Sequence, residues 1–87
     1  MDDIFLSRYP KIDLHGYDRD SARMMVNDFI RDNYEMGIDT IIIIHGKGLG
    51  ILRKEVSTML KRHPHVKSFR LGEYGEGGDG VTIVTLK

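Results

Sequence analysis

Two histidines of this chain lie at the carboxyl ends of predicted strands, each directly before a glycine. His15 precedes Gly16, and His45 opens the sequence HGKG. Imidazoles titrate near neutral pH, so two of them together can divide the roles of general base and general acid. Asp13 lies two residues before His15 and is placed to orient an imidazole. The predicted catalytic residues are Asp13, His15, His45 and Lys47.

The glycine-rich turn after His45 leads into a predicted helix. The amides and positive dipole end of a helix N-terminus bind anions, and glycines let the backbone approach a phosphate. Lys47 adds a positive charge, so Gly46, Lys47 and Gly48 are predicted to contact phosphate. The turn matches neither GxxxxGK[ST] nor GxGxxG. Taken alone, the glycines are more typical of a tight turn before a helix than of a ligand site.

Charge is distributed unevenly although the net charge is zero. Residues 1–40 hold nine acids and five bases, whereas residues 53–70 hold six bases and one acid. A neutral total argues against a uniformly basic nucleic-acid binder, but a basic segment beside the HGKG turn suits a phosphate backbone. Arg53, Lys54 and Arg70 are therefore predicted nucleic-acid contacts. A solvated helix face is the alternative.

The spacing of apolar residues predicts the elements that position these side chains. Alternation over 11–15 indicates a strand, and Asp13 and His15 would then point to one face of the sheet. The run Ile41–Ile44 has no alternation, which is typical of an inner parallel strand covered on both faces. If the two strands are parallel neighbours, His15 and His45 lie side by side at their carboxyl ends, where open α/β sheets bind ligands.

The remaining pattern completes a βαβαββ order with a four-stranded mixed sheet. A stripe of apolar residues after Asp18 predicts a first helix. Met25 and Met36 are expected to flank this stripe, and Gly37 is expected to cap the end of the helix in a left-handed conformation. A second helix is predicted from Leu49 to Arg62, before Pro64. The last two strands form a predicted antiparallel hairpin, with Val66 and Phe69 on opposite faces. The apolar stripe of the first helix contains Ala22, Val26, Phe29 and Ile30, and that of the second contains Leu52, Val56, Met59 and Leu60. The two hairpin strands are predicted at 66–71 and 81–86. The five glycines between them predict a long mobile connection over 72–80.

Several classes of protein are disfavoured by composition. The 87-residue chain has no cysteine, so it has no disulfide framework and no Cys-type zinc site. The N-terminus has no basic leader, and no apolar run reaches the ~18 residues of a membrane span. We therefore expect a cytoplasmic protein without a membrane partner. His63 and His65 are expected at the surface. No cofactor is predicted; a divalent cation held by Asp13, His15 and His45 is the less favoured alternative.

Three motifs in this order resemble the Smr (small MutS-related) domain family. They are IDLHG at 12–16, HGKG at 45–48 and GGDGVTIV at 77–84. The resemblance runs from residue 11 to residue 87 and follows an N-terminal arm of residues 1–10. It is especially similar to Smr domains at the C-terminus of the second bacterial MutS paralogue, and the start at Met1 suggests a stand-alone Smr protein or an excised domain.

The resemblance implies an α/β (α+β) two-layer sandwich similar to the C-terminal domain of the third bacterial translation initiation factor. It also implies an endonuclease that nicks DNA or cleaves RNA. Some members of the family cleave messenger RNA at ribosomes. The family motifs Asp-x-His and His-Gly-x-Gly carry over to Asp13, His15 and His45. Lys47 stands where many RNA-cutting members have arginine, so the bidentate phosphate contact is lost. The alternative function is a non-catalytic module that binds nucleic-acid structure or the ribosome.

Overall fold

A computed structural model of the chain describes residues 7–48 and 50–87. The predicted order βαβαββ is confirmed, although the N-terminal residues 1–6 and the predicted start of the second helix at Leu49 lie outside the described residues. The elements are β1 (Lys11–Asp13), α1 (Arg19–Glu35), β2 (Thr40–Ile44), α2 (Ile51–Arg62), β3 (Val66–Leu71), a 3-10 turn (Gly78–Gly80) and β4 (Val81–Leu86).

The four strands form one mixed sheet in the order β1-β2-β4-β3. β1 pairs in parallel with β2, and Asp13 is opposite Ile44. β4 is antiparallel to both β2 and β3, which confirms the predicted hairpin. The parallel pair is joined through α1, as expected for a βαβ unit. The carboxyl ends of β1 and β2 therefore meet at one edge of the sheet.

The isoleucine run of β2 is buried on both faces of the sheet, which explains its lack of alternation. Ile41 and Ile43 pack with α1 and α2 in the main core. Ile42 packs on the other face in a smaller cluster with Val81, Ile83, Tyr9 and Ile44. The backbone N–H of Ile42 donates to the carbonyl of Pro10 at 2.9 Å. Part of the predicted N-terminal arm therefore contributes to the fold.

Helix α1 begins and ends as its sequence predicts, but one residue that was expected to pack beside its buried stripe is exposed. The Asp18 carboxylate accepts from Ser21 N–H at 2.7 Å, and this hydrogen bond lowers the Asp18 pKa. Gly37 adopts φ +77° just after the helix. The prediction that Met36 flanks the buried stripe is wrong, because Met36 is the C-cap residue and its side chain is 68% exposed.

Strand β3 departs from simple alternation near its start. Val66 pairs with Leu86 and Ser68 pairs with Thr85, so three residues of β3 lie opposite two of β4. This β-bulge restarts the alternation, and both Val66 and Phe69 pack against the main core. The prediction that they lie on opposite faces is therefore wrong.

The connection between β3 and β4 is bridged by an ion pair. The Arg70 guanidinium donates to both carboxylate oxygens of Glu76, at 2.6 and 2.9 Å, and Glu73 N–H donates to Glu76 at 3.0 Å. These hydrogen bonds lower the pKa of Glu76 to about 2. Gly72 is closely packed, since a Cβ there would lie 2.6 Å from the carbonyl oxygen of Gly78.

None of the helices in the described part of the chain has the length and apolar character of a membrane span.

Candidate functional site

The HGKG turn between β2 and α2 is anchored to the turn before β4. The backbone N–H groups of His45 and Gly46 both donate to the carbonyl of Gly80, at 3.0 and 2.8 Å. Gly46 adopts φ +80°, a backbone conformation that residues other than glycine rarely adopt. A Cβ on Gly80 would lie 3.3 Å from the Lys47 side chain. The two glycine-containing motifs are therefore in direct contact.

His45 is buried, and both of its ring nitrogens are hydrogen-bonded. Nδ1 lies 3.0 Å from the carbonyl oxygen of Gly46, and Nε2 lies 2.8 Å from the hydroxyl oxygen of Thr82. Because a carbonyl only accepts, we assign the proton to Nδ1, and Thr82 donates to Nε2. Burial lowers the His45 pKa, the Gly46 carbonyl opposes that shift, Arg53 adds to it and Asp79 opposes it. This arrangement favours a neutral ring that holds the turn in place.

His15 and His45 line one groove, as the parallel strand pairing predicts. His15 is exposed and lies in the turn after β1, facing the HGKG turn and the first residues of α2. We call this space, about 500 Å³ in volume, the catalytic groove, because three of the predicted catalytic residues, His15, His45 and Lys47, line it. Its lining residues are His15, Gly16, His45, Gly46, Lys47, Gly48, Gly50, Ile51, Leu52 and Arg53.

Asp13 takes a different position from the predicted one. β1 ends at Asp13 and His15 lies in the turn that follows, so strand alternation does not determine where the His15 side chain points. The Asp13 carboxylate accepts from the backbone N–H of His15 at 2.9 Å. Asp13 is also absent from the residues that line the catalytic groove. In this structure Asp13 stabilises the turn that carries His15.

An acidic residue that sequence analysis did not select lies between two of the predicted phosphate contacts. The Asp79 carboxylate is 3.8 Å from Lys47 Nζ and 3.7 Å from Arg53 Nη1. All three side chains are partly exposed, so these ion pairs are weak. Asp79 is flanked by glycines in the GGDG sequence, and only the fold brings it to the HGKG turn. The carboxylate marks a position where Lys47 and Arg53 attract negative charge together.

The start of α2 has no side-chain cap of its own. Its N-cap residue is Gly50, with φ +79°, and the first turn contains no acid. The first-turn amides are therefore left for solvent or a ligand. A Cβ on Gly48 would meet no described atom within 4 Å, so the space in front of this backbone is open. These features suit a bound anion between Lys47 and the helix end.

The three predicted nucleic-acid contacts Arg53, Lys54 and Arg70 line a second groove of about 370 Å³. We call it the α2–β3 groove, because all of its lining residues except Thr82 of β4 come from these two elements. Arg53 lines both grooves, so they are adjacent. The lining residues of the α2–β3 groove are Arg53, Lys54, Ser57, Thr58, Lys61, Phe69, Arg70, Leu71 and Thr82.

Comparison with known proteins places this arrangement in a family. The sequence profile described as "Smr domain" matches residues 12–87. The chain belongs to the Smr domain family. The structure of this Smr domain superposes on the crystal structure of the Smr domain of Thermus thermophilus MutS2 with a TM-score of 0.88 and 36% identity, covering 90% of this chain and 98% of that one.

Other relatives of this Smr domain are longer proteins. It is 53% identical over 77 residues to Endonuclease MutS2 of Clostridium beijerinckii and 54% identical over 78 residues to that of Clostridium perfringens, covering 88% and 90% of this chain. The matched part is 10% of each of those proteins. The crystal structure of YdaL, a stand-alone small MutS-related protein from Escherichia coli, matches with a TM-score of 0.85 and 28% identity, covering 91% of this chain and 67% of that one.

The other two histidines of the Smr domain lie away from the catalytic groove. His63 ends α2; its Nδ1 accepts from His65 N–H at 3.1 Å, so its Nε2 donates to Asn27 at 3.0 Å. Burial and the neighbouring His65 lower the His63 pKa. The His65 ring stacks on Tyr34 with centroids 3.8 Å apart. Among the described residues, no three His, Asp or Glu side chains group as a metal site.

The lowered pKa values of His45 and His63 predict acid destabilisation. In the folded protein both rings take up protons at lower pH than in the unfolded chain, where histidine titrates at about pH 6.5. The free energy of unfolding is therefore expected to be fully retained above pH 7 and to decrease as pH falls through 6.5, before most carboxylates titrate. Urea unfolding at about pH 7.5 and pH 5 measures this. An equal free energy of unfolding at the two pH values would contradict this prediction. The variant His63→Asn should show a smaller dependence of the free energy of unfolding on pH.

Proposed function

We propose that this Smr domain is an endonuclease that breaks phosphodiester bonds in the catalytic groove. The proposal depends on one observation: an exposed imidazole, His15, faces the start of α2 across a groove that Lys47 and Arg53 also line. The same groove therefore offers a proton-transfer group and an anion site. The names of the MutS2 relatives, which include the word endonuclease, support this activity.

The phosphate would lie between Lys47 and the first turn of α2. Negative charge increases on the non-bridging oxygens as a nucleophile attacks phosphorus, and the Lys47 ammonium and the backbone amides stabilise that charge. Gly48 permits close approach of the backbone because the space in front of it is open. Lysine binds phosphate as a point charge and not as a bidentate fork.

Proton transfer is assigned first to His15, whose ring is exposed in the groove. On RNA, a base takes the proton of the 2′-OH, the 2′-oxygen bonds to phosphorus, and the bond from phosphorus to the 5′-oxygen breaks as an acid protonates that oxygen. On DNA, water supplies the attacking oxygen. His45 serves mainly as a positioning residue, because Gly46 and Thr82 occupy its nitrogens. If Nε2 exchanges Thr82 for substrate, His45 becomes the second proton-transfer group.

The nucleic-acid strand would continue from the catalytic groove into the α2–β3 groove. Arg53 is common to both, and Lys54 and Arg70 extend the positive charge away from the turn. Such contacts bind the phosphate backbone of DNA or RNA without reading sequence. RNA exposed on a ribosome belongs to the same class of partner, and the cytoplasm is the expected compartment.

The activity is tested with purified protein on matched single-stranded and duplex RNA and DNA, with and without EDTA. We expect cleavage, and a cyclic phosphate on RNA product ends would identify attack by the 2′-OH. Cleavage that persists in EDTA would show that the reaction does not need a divalent cation bound by Asp13, His15 and His45. Absence of cleavage on all four substrates, both with divalent cations and with EDTA, would contradict the proposal.

Asp79 is expected to weaken nucleic-acid binding, because its carboxylate competes with phosphate for Lys47 and Arg53. The variant Asp79→Asn should bind a short oligonucleotide about two- to five-fold more tightly. Asp28→Asn on α1 is the matched control, since it removes the same charge far from the groove. Fluorescence anisotropy at fixed salt measures both variants. Equal affinities for the two variants would contradict the competition.

A second candidate function is non-catalytic binding of nucleic acid. It is favoured by the hydrogen bonds on both His45 nitrogens and by the position of the Asp13 carboxylate outside the catalytic groove. The α2–β3 groove would then carry the function alone. This candidate predicts salt-sensitive binding without cleavage, and unchanged binding when Asp13 and His15 are replaced together.

A further inference from the structure

The α2–β3 groove contains apolar groups that binding of a phosphate backbone does not need, together with hydroxyl groups. Phe69 and Leu71 of β3 line it on one side, and 43% of Leu71 is exposed. Ser57 and Thr58 of α2 line it on the other. Its volume of about 370 Å³ lies in the usual range for small-ligand pockets, roughly 300–1,000 Å³. This is the chemistry of a site for a flat, mainly apolar group with polar edges.

Positive charge borders the groove on several sides. Arg53 contacts Asp79, and Arg70 is paired with Glu76. Lys54 and Lys61, by contrast, have no ion-pair partner in the part of the chain that the structure describes. Two uncompensated cations beside an apolar interior suit a ligand that has phosphates next to an aromatic ring. A nucleotide combines these groups.

We propose that the α2–β3 groove binds one unpaired nucleobase of the strand whose neighbouring phosphate lies in the catalytic groove. The base contacts Phe69 and Leu71, its polar edge meets the hydroxyl of Ser57, and Lys54 and Lys61 hold the flanking phosphates. This inference rests on the proposed function for the identity of the ligand. It adds a requirement for single-stranded nucleic acid, because a paired base must leave its stack before it can enter.

Abasic oligonucleotides test the base subsite directly, because they keep the charge and length of the strand and lack only the bases. We expect the wild-type protein to bind an intact single-stranded 12-mer about five- to fifty-fold more tightly than the abasic 12-mer. It should also bind the single strand more tightly than a duplex of the same sequence. Equal affinity for the intact and abasic strands at the same salt concentration would overturn the proposal.

A variant that fills the groove provides the matched control. Ser57→Phe should reduce the preference for the intact strand to near unity and leave binding of the abasic strand unchanged. Ser57→Ala, which removes only the hydroxyl contact and leaves the groove open, should reduce the preference less. Unfolding midpoints show whether each variant folds, and the wild-type comparison stands without them. Cleavage separates the two proposals: equal cleavage of single strand and duplex contradicts the base subsite alone, and base-dependent binding without any cleavage contradicts the endonuclease alone.

Discussion

Replacement of His15 by alanine is expected to slow phosphodiester cleavage by about 10²- to 10⁴-fold, the usual contribution of a general acid or base. His15 is the exposed imidazole of the catalytic groove, and no hydrogen bond of its ring is needed to hold the turn, because Asp13 binds the His15 backbone N–H instead. The free energy of unfolding should therefore change by less than about 0.5 kcal/mol. Single-turnover cleavage and urea unfolding measure the two effects separately.

His65→Ala is the control for this variant. It removes an imidazole that stacks on Tyr34, away from the catalytic groove, and keeps the backbone N–H that donates to His63. Cleavage by His65→Ala should equal that of the wild-type protein. If His15→Ala and His65→Ala cut at the same rate, proton transfer by His15 is excluded.

The largest stability effect is expected from His45→Ala, which should lower the free energy of unfolding by about 2–4 kcal/mol. The change leaves a cavity at a side chain that is only 7% exposed and removes the acceptor of the buried Thr82 hydroxyl. Each of these losses costs on the order of 1–3 kcal/mol. Since about 1 kcal/mol shifts the midpoint of a domain this small by roughly 4–8 °C, thermal unfolding shows the effect clearly.

Thr82→Val and the double variant His45→Ala/Thr82→Val complete a thermodynamic cycle for the hydrogen bond between His45 and Thr82. We expect a coupling energy of about 1 kcal/mol between His45 and Thr82, the usual net value of one hydrogen bond. A His45→Ala protein as stable as the wild type would contradict the positioning role. A folded His45→Ala protein that cuts as fast as the wild type would remove His45 from the mechanism.

Parallel pairing of the first two strands could be predicted because it depends on local composition. Four consecutive β-branched residues at 41–44 require burial on both faces, and a helix-length segment separates them from β1. Those two facts bring His15 and His45 to one edge of the sheet. The same reasoning could not give the side-chain position of Asp13, which depends on β1 ending one residue before Leu14.

Residues missed by sequence analysis belong to contacts between distant segments. Thr82 looks like an ordinary strand residue, and its hydrogen bond to His45 exists only because β4 lies beside β2. Asp79 is similarly brought to Lys47 by the turn before β4. The bulge in β3 adds an unpaired residue that no hydrophobic pattern reveals, so Phe69 could not be assigned to the core face.

A phosphodiester is expected to bind between His15 and the start of α2, and amide NMR detects such binding residue by residue. Uniformly ¹⁵N-labelled protein is titrated with a single strand that carries 2′-O-methyl groups and is therefore not cut by 2′-OH attack. We expect the largest shift changes at the amides of residues 15–16, 46–48 and 51–54. Changes centred on residues 23–31 and 62–65, with those amides unaffected, would contradict it.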